Sequence, residues 1–150
     1  MTMKLSKDEI SARLDITEPF LMIDAFEEIV TGKTAQGTKR LNPDDWYFAC
    51  HLPKSQVMPA TLQIEGMLQT LVLLIYAAQD HGEHRAFITN VNVQLVSAAV
   101  PETDIDYEAE LLSFRRGIAK GKVEGISNGE TICRGEFTYA SPHLMSLPAK

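Results

Sequence analysis

Two residues able to exchange protons stand fourteen positions apart in this chain, His51 and Glu65. An imidazole ordinarily titrates near neutral pH, which suits a general base. A glutamate with Leu62, Leu68 and Val72 on its helical face is pushed by desolvation toward its neutral form, which suits a general acid. An unpaired charge in such surroundings is costly, so Glu65 needs a reason to be there. A histidine and a carboxyl sharing one apolar site point to acid–base chemistry on an apolar substrate. Gln69, one turn beyond Glu65, is placed to hydrogen-bond near it.

These groups need a scaffold. Pro59 suits the first position of a helix, where its missing N–H costs nothing, and the helix runs to about Gln79, with Asp80-His81-Gly82 as its stop. Leu62, Ile64, Met67, Leu68, Leu71, Val72, Leu74, Ile75 and Ala78 cover more than one face, as in a buried helix. Before it, Leu21 to Val30 and Thr34 to Leu41 read as strands joined at Gly32-Lys33. Asn42-Pro43-Asp44-Asp45 is a helix-initiating turn leading to the aromatic cluster Trp46, Tyr47 and Phe48.

After the helix the pattern has period two. Phe87, Thr89, Val91, Val93 and Leu95 share one strand face, and Ile105, Tyr107, Ala109 and Leu111 alternate with Asp106, Glu108 and Glu110. Asn128-Gly129 between Val123–Ser127 and Thr131–Tyr139 marks a tight hairpin. Ser6 with Glu9 is a capping box opening a short surface helix to Leu14. The fold class is therefore α+β: a strand pair, one buried helix and about four antiparallel strands that wrap it. The uncovered part of such a helix calls for a second copy, hence a homo-oligomer. We read residues 1–150 as a single domain, with 1–15 an N-terminal helical extension and 141–150 a loose tail.

Composition excludes other classes. Fourteen Lys and Arg against twenty Asp and Glu give a net charge of −6, which argues against nucleic acid as partner. The longest uninterrupted apolar run, Leu71 to Ala78, is too short to span a bilayer, and the N-terminal residues lack the apolar stretch of a secretory signal. Cys50 and Cys133 then read as two reduced thiols of a cytoplasmic protein. His81, His84 and His143 have no metal-ligand spacing with them, and no metal is expected. Cys50 beside His51 lacks a third orienting group, which disfavours a thiol nucleophile.

The stretch His51-Leu52-Pro53, Val57-Met58-Pro59-Ala60 and Glu65 through Gln69 resembles the active-site segment of the β-hydroxyacyl-acyl carrier protein dehydratases of fatty acid synthesis (FabZ type). Pro19-Phe20-Leu21-Met22-Ile23-Asp24 and Arg115-Arg116-Gly117 are similar to that family as well, so the resemblance runs from about Glu18 to Ala140. It implies the hotdog fold, a long central helix wrapped by a mostly antiparallel sheet. It also implies dehydration of 3-hydroxyacyl thioesters on acyl carrier protein, without metal or organic cofactor beyond the carrier's phosphopantetheine. His51 and Glu65 would be catalytic, with Glu65 either the acid or a positioner of the leaving water, the Ala60 N–H would polarise the thioester carbonyl, and Gln69 would assist positioning. Histidine and carboxyl would come from two subunits, in a homodimer or a trimer of dimers.

The segment departs from the family at four places. Cys50 and Lys54 replace glycines, Leu52 a phenylalanine, and Ala60 the glycine at the helix start. Alanine keeps the backbone donor. Arg115, Arg116, Lys120 and Lys122 form a basic hairpin tip that is either a solvated turn or a dock for the acidic carrier. Two further readings stay open on the same fold: an acyl thioesterase, and a non-catalytic acyl-binding subunit.

Overall fold

Because apolar side chains recur on most sides of Ala60–Ala77, this helix cannot face water, and the rest of the chain closes around it. The computed structural model describes residues 2–78 and 84–145. In chain order its elements are β1 (Lys4–Leu5), α1 (Lys7–Leu14), β2 (Ala25–Val30), β3 (Thr34–Leu41), α2 (Trp46–Cys50), α3 (Ala60–Ala77), β4 (Phe87–Leu95), β5 (Thr103–Arg115), β6 (Ile118–Ser127) and β7 (Glu130–Ala140), then a 3-10 turn at Pro142–Leu144. The strands form one antiparallel sheet in the order β1-β2-β3-β5-β6-β7-β4.

Helix α3 lies on the inner face of this sheet. Met67, Leu71, Leu74 and Ile75 are fully buried there, each contributing about 1.5–3 kcal/mol. Its length and composition alone would let it cross a membrane, but 67% of it is buried inside the protein, so it is a core helix. The inward residues of β5, Ile105, Tyr107 and Ala109, pack beneath it. Contact is closest at Gly66, where a Cβ would come within 2.4 Å of the Tyr107 ring. A mid-helix glycine costs about 1 kcal/mol against alanine, and here it admits that ring.

Several local readings are met. Ser6 caps α1 reciprocally with Glu9, and Asn128 and Gly129 turn between β6 and β7 with φ of 52° and 76°. The same left-handed pair recurs at Arg116 (53°) and Gly117 (80°) between β5 and β6.

Others need correction. Helix α1 is no mere surface element, because Ile10 and Leu14 are buried, and the N-terminal extension begins with a strand, β1, paired to β2. Leu21–Ile23 are buried but not strand: Met22 donates its N–H to a side chain of α3 instead of a neighbouring strand. Pro59 is the N-cap, so α3 starts at Ala60. The register of β4 shifts between Ile88 and Asn90, and this bulge breaks the alternation. Ile88, Val91, Val93 and Leu95 therefore share the inner face, opposite Tyr139, Phe137, Gly135 and Cys133, whereas Phe87 does not. Ser141 is buried, with its N–H on the Gly117 carbonyl at 2.7 Å, so the tail is anchored at its start. The helix stop at Asp80-His81-Gly82, with Gln79, and the final residues 146–150 lie outside the described residues.

Candidate active site

Helix α3 carries Glu65 in its second turn, half-buried and, among the described residues, paired with no cation. Its carboxyl Oε2 accepts one hydrogen bond, from Gln69 Nε2 at 3.0 Å. Burial holds the Glu65 pKa above the ordinary carboxylic acid value, and the Gln69 bond opposes that rise without cancelling it. A carboxyl in this state retains its proton further toward neutral pH and can donate it.

Gln69 is fully buried and fully satisfied. Its Nε2 also donates to the Phe20 carbonyl at 3.0 Å, and its Oε1 accepts from the Met22 N–H at 2.8 Å. A side chain held at three points cannot swing away from Glu65, so the carboxyl has a fixed partner. Tyr139 borders the same place. Its hydroxyl donates to the Leu68 carbonyl at 3.1 Å, and burial first, then the Glu65 charge, push its pKa up.

His51 stands at the other end of the segment. The short helix α2 is held in the core by Tyr47 and Phe48, both nearly inaccessible, and His51 is its C-cap, with its N–H on the Tyr47 carbonyl at 2.9 Å. The imidazole Nδ1 lies 3.1 Å from the Val57 carbonyl. An Nδ1–H donated there leaves Nε2 as the free base, the tautomer a proton abstraction requires. Leu52 and Gln56 then adopt φ of 45° and 52°, conformations that side chains other than glycine seldom take.

Ala60 is exposed and is the first residue of α3, so its N–H is among those a helix leaves without an internal acceptor. Such a donor at the positive end of a helix dipole suits a developing oxyanion. The structure thus joins Glu65 to Gln69 and sets His51 and Ala60 at opposite ends of one loop. Within the protomer, the described hydrogen bonds of His51 go to Tyr47 and Val57, and that of Glu65 goes to Gln69.

Lys122 does not belong to the basic tip. It lies mid-sheet on the outer face, 3.5 Å from Glu110, while Arg115 ends β5, Arg116 occupies the turn and Lys120 stands further along β6. A groove of about 910 Å³ on that outer face is lined by Gln36, Glu108, Lys122, Glu124, Arg134 and Glu136, among others, and holds none of His51, Ala60, Glu65 and Gln69. Among the described residues no cluster of histidine, cysteine and carboxylate groups has a metal-binding arrangement.

The FabA-like domain family model matches residues 16–136, a span containing His51, Ala60, Glu65 and Gln69. This chain belongs to the FabA-like domain family. The FabA-like chain is 31% identical over 137 residues to a 3-hydroxyacyl-[acyl-carrier-protein] dehydratase FabZ of Geobacillus thermodenitrificans (strain NG80-2), covering 91% of this chain and 94% of that protein. A FabZ of the same description from Syntrophomonas wolfei subsp. wolfei is 30% identical over 139 residues, covering 92% and 96%. Solved structures share the fold at lower identity. The dehydratase heterocomplex ApeI:P from Xenorhabdus doucetiae superposes with a TM-score of 0.70 at 14% identity, over 89% of this chain and 90% of that one. Zebra fish thioesterase superfamily member 2 gives 0.69 at 16%, over 91% and 99%. The architecture of this FabA-like protein is the hotdog fold.

Three groups of the site escape a reading of the sequence: the Phe20 carbonyl, the Met22 N–H and the Tyr139 hydroxyl. Two are backbone atoms, which any residue type supplies. For Tyr139 the one available signal is its place on the inward face of the last strand.

Proposed function

We propose that this FabA-like protein removes water from 3-hydroxyacyl thioesters carried on acyl carrier protein, giving trans-2-enoyl thioesters, in fatty acid or related acyl-chain synthesis. One observation carries the reading: a desolvated glutamate within the core helix, bonded to a rigid amide and with no counter-ion among the described residues. Relatives about 30% identical over nearly the whole chain, named as dehydratases of this kind, support it.

In this scheme the proton on C2 passes to His51 and the Glu65 proton passes to the C3 hydroxyl. The C2–H electrons form the new double bond as water departs, leaving an imidazolium and a carboxylate. The two roles suit an imidazole with a free Nε2 and a carboxyl of raised pKa. The thioester oxygen, carrying charge while C2 loses its proton, would rest on the Ala60 N–H. The reaction needs no metal or organic cofactor beyond the carrier's own arm.

The catalytic pair is proposed to assemble between two copies, His51 from one and Glu65 from the other. Edge strand β4 supports this: Ile88, Val91 and Leu95 belong to the sheet's inner face yet stay 40–45% exposed, since α3 does not reach them. A second copy would cover them and pair the open edge. Sedimentation of the wild-type protein distinguishes such a dimer from a trimer of dimers. Arg115, Arg116 and Lys120, exposed at or near the β5–β6 turn of an acidic protein, are the proposed contact for the acidic carrier. Such a partner places the reaction in the cytoplasm, where the thiols of Cys50 and Cys133, unbridged here, would stay reduced.

The test is turnover of a 3-hydroxyacyl-carrier substrate by wild type, His51→Ala and Glu65→Gln, following enoyl absorbance and free thiol together. Enoyl formation by wild type, lost in both variants, is the expected result. Thiol release instead would make the protein a thioesterase, and neither signal would make it a binding subunit.

A further inference from the structure

The aromatic cluster of α2 contains one member that the core does not use. Tyr47 and Phe48 are buried, but Trp46 is 47% exposed and only leans edge-on against Tyr47, with ring centres 5.4 Å apart. Its indole Nε1–H donates to the Pro19 carbonyl at 3.2 Å. The next carbonyl along the chain, that of Phe20, is the one that accepts from Gln69. Two residues later, the Met22 N–H closes on the same carboxamide.

The segment leading into these contacts is tied to its own turn and to α1, where Lys7 pairs with Glu18. Phe20 N–H bonds the Thr17 carbonyl at 3.0 Å, and Ile16 is bound to Ser11 through its N–H and its carbonyl. Burial of Leu21, Met22 and Ile23 fixes the far side. Trp46 supplies the described hydrogen bond that joins the Pro19 carbonyl to another element, and that element delivers His51 at its C-cap. A continuous series of contacts therefore runs from the histidine-bearing helix to the carboxyl: Trp46 to Pro19, Phe20 to Gln69, Gln69 to Glu65.

We infer that Trp46 is a positioning residue for Glu65, acting through the Pro19–Phe20 backbone and the Gln69 carboxamide. This rests on the dehydratase reading for its kinetic consequence but not for its structural one. The indole's described hydrogen bond and ring contact go to Pro19 and Tyr47, and a phenyl ring keeps most of its packing while removing the donor. Exposure at this position makes Trp46→Phe a variant that folds.

The experiment compares wild type and Trp46→Phe by amide hydrogen exchange and by steady-state kinetics. Loss of one hydrogen bond should speed exchange of the Met22 amide about fivefold and leave the amides of β5 and β6 unchanged. With a 3-hydroxyacyl-carrier substrate, kcat should fall about threefold to tenfold at constant KM. Adding Trp46→Phe to Gln69→Met should cost nothing more, because the link it acts through is already gone. Unchanged Met22 exchange in Trp46→Phe overturns the inference, as does a further kcat loss in the double variant. Should wild type fail to form enoyl product, the dehydratase reading falls, and Met22 exchange alone still decides the role of Trp46.

Discussion

Gln69 reaches back one helical turn to Glu65 with a 3.0 Å hydrogen bond while its other contacts bind the Phe20 carbonyl and the Met22 N–H. The amide is thus a fixed bridge between the core helix and the segment before β2. Among the described residues, burial and this one amide set the acidity of the carboxyl. Its protonation can then be read in stability as well as in rate.

Glu65 binds its proton more tightly in the folded chain than in the unfolded one. The native state therefore holds more protons from the ordinary value near 4.5 up to the raised one, and stability falls as pH rises through that window. The contribution is complete below the unfolded value and gone above the folded one. Glu65→Gln should flatten this part of the profile, measured as denaturation midpoint against pH. If Glu65 is the acid, wild-type kcat should decline with rising pH as the same group ionises.

Ala60→Pro removes one N–H and little else, because the first helical position tolerates proline. Loss of a backbone donor to an oxyanion is expected to lower kcat by about 10²–10³-fold. Circular dichroism should show α3 intact. A variant of near-normal rate would remove Ala60 from the mechanism.

Gly66→Ala should gain about 1 kcal/mol in helix propensity and lose more by collision with Tyr107, whose ring carbon and hydroxyl lie 2.4 Å from the added Cβ. Overpacking of this kind costs about 1–3 kcal/mol, and a buried ring has little room to yield. Denaturant titration should place the variant below wild type. A stabilised variant would mean that the helix can lift off β5 without penalty.

Val91→Lys puts a charge on the inner face of β4, where the wild-type valine is 45% exposed within one protomer. If a second copy covers this strand, sedimentation should report monomers in place of the wild-type dimer, with dehydration lost as well. A change of mass without loss of activity would show that one protomer holds a complete site.

Much of this was legible in the residues. The Ser6–Glu9 capping box, the Asn128-Gly129 turn and the apolar helix after Pro59 rest on local chemistry that tertiary context does not reverse. Glu65 was visible because a carboxyl among leucines is anomalous. The β4 pattern was misread because one extra residue at Ile88–Asn90 inverts the faces before it, and a bulge has no obligatory residue type. Leu21–Ile23 look like strand because their side chains are apolar. The partner of the Met22 N–H is a glutamine forty-seven positions away, which no local window contains. Lys122 is close to Arg116 in sequence, but the strand register sets it opposite Glu110 on β5, away from the turn.

The anchoring of α2 has an evolutionary consequence. Tyr47 and Phe48 hold α2 in the core and so fix the backbone of His51, whereas residues 52–56 that follow are exposed. Substitutions there can reshape what enters the mouth without disturbing the proton-transfer machinery. A lineage could retune its choice of acyl chain by editing five surface positions and inherit the chemistry unaltered.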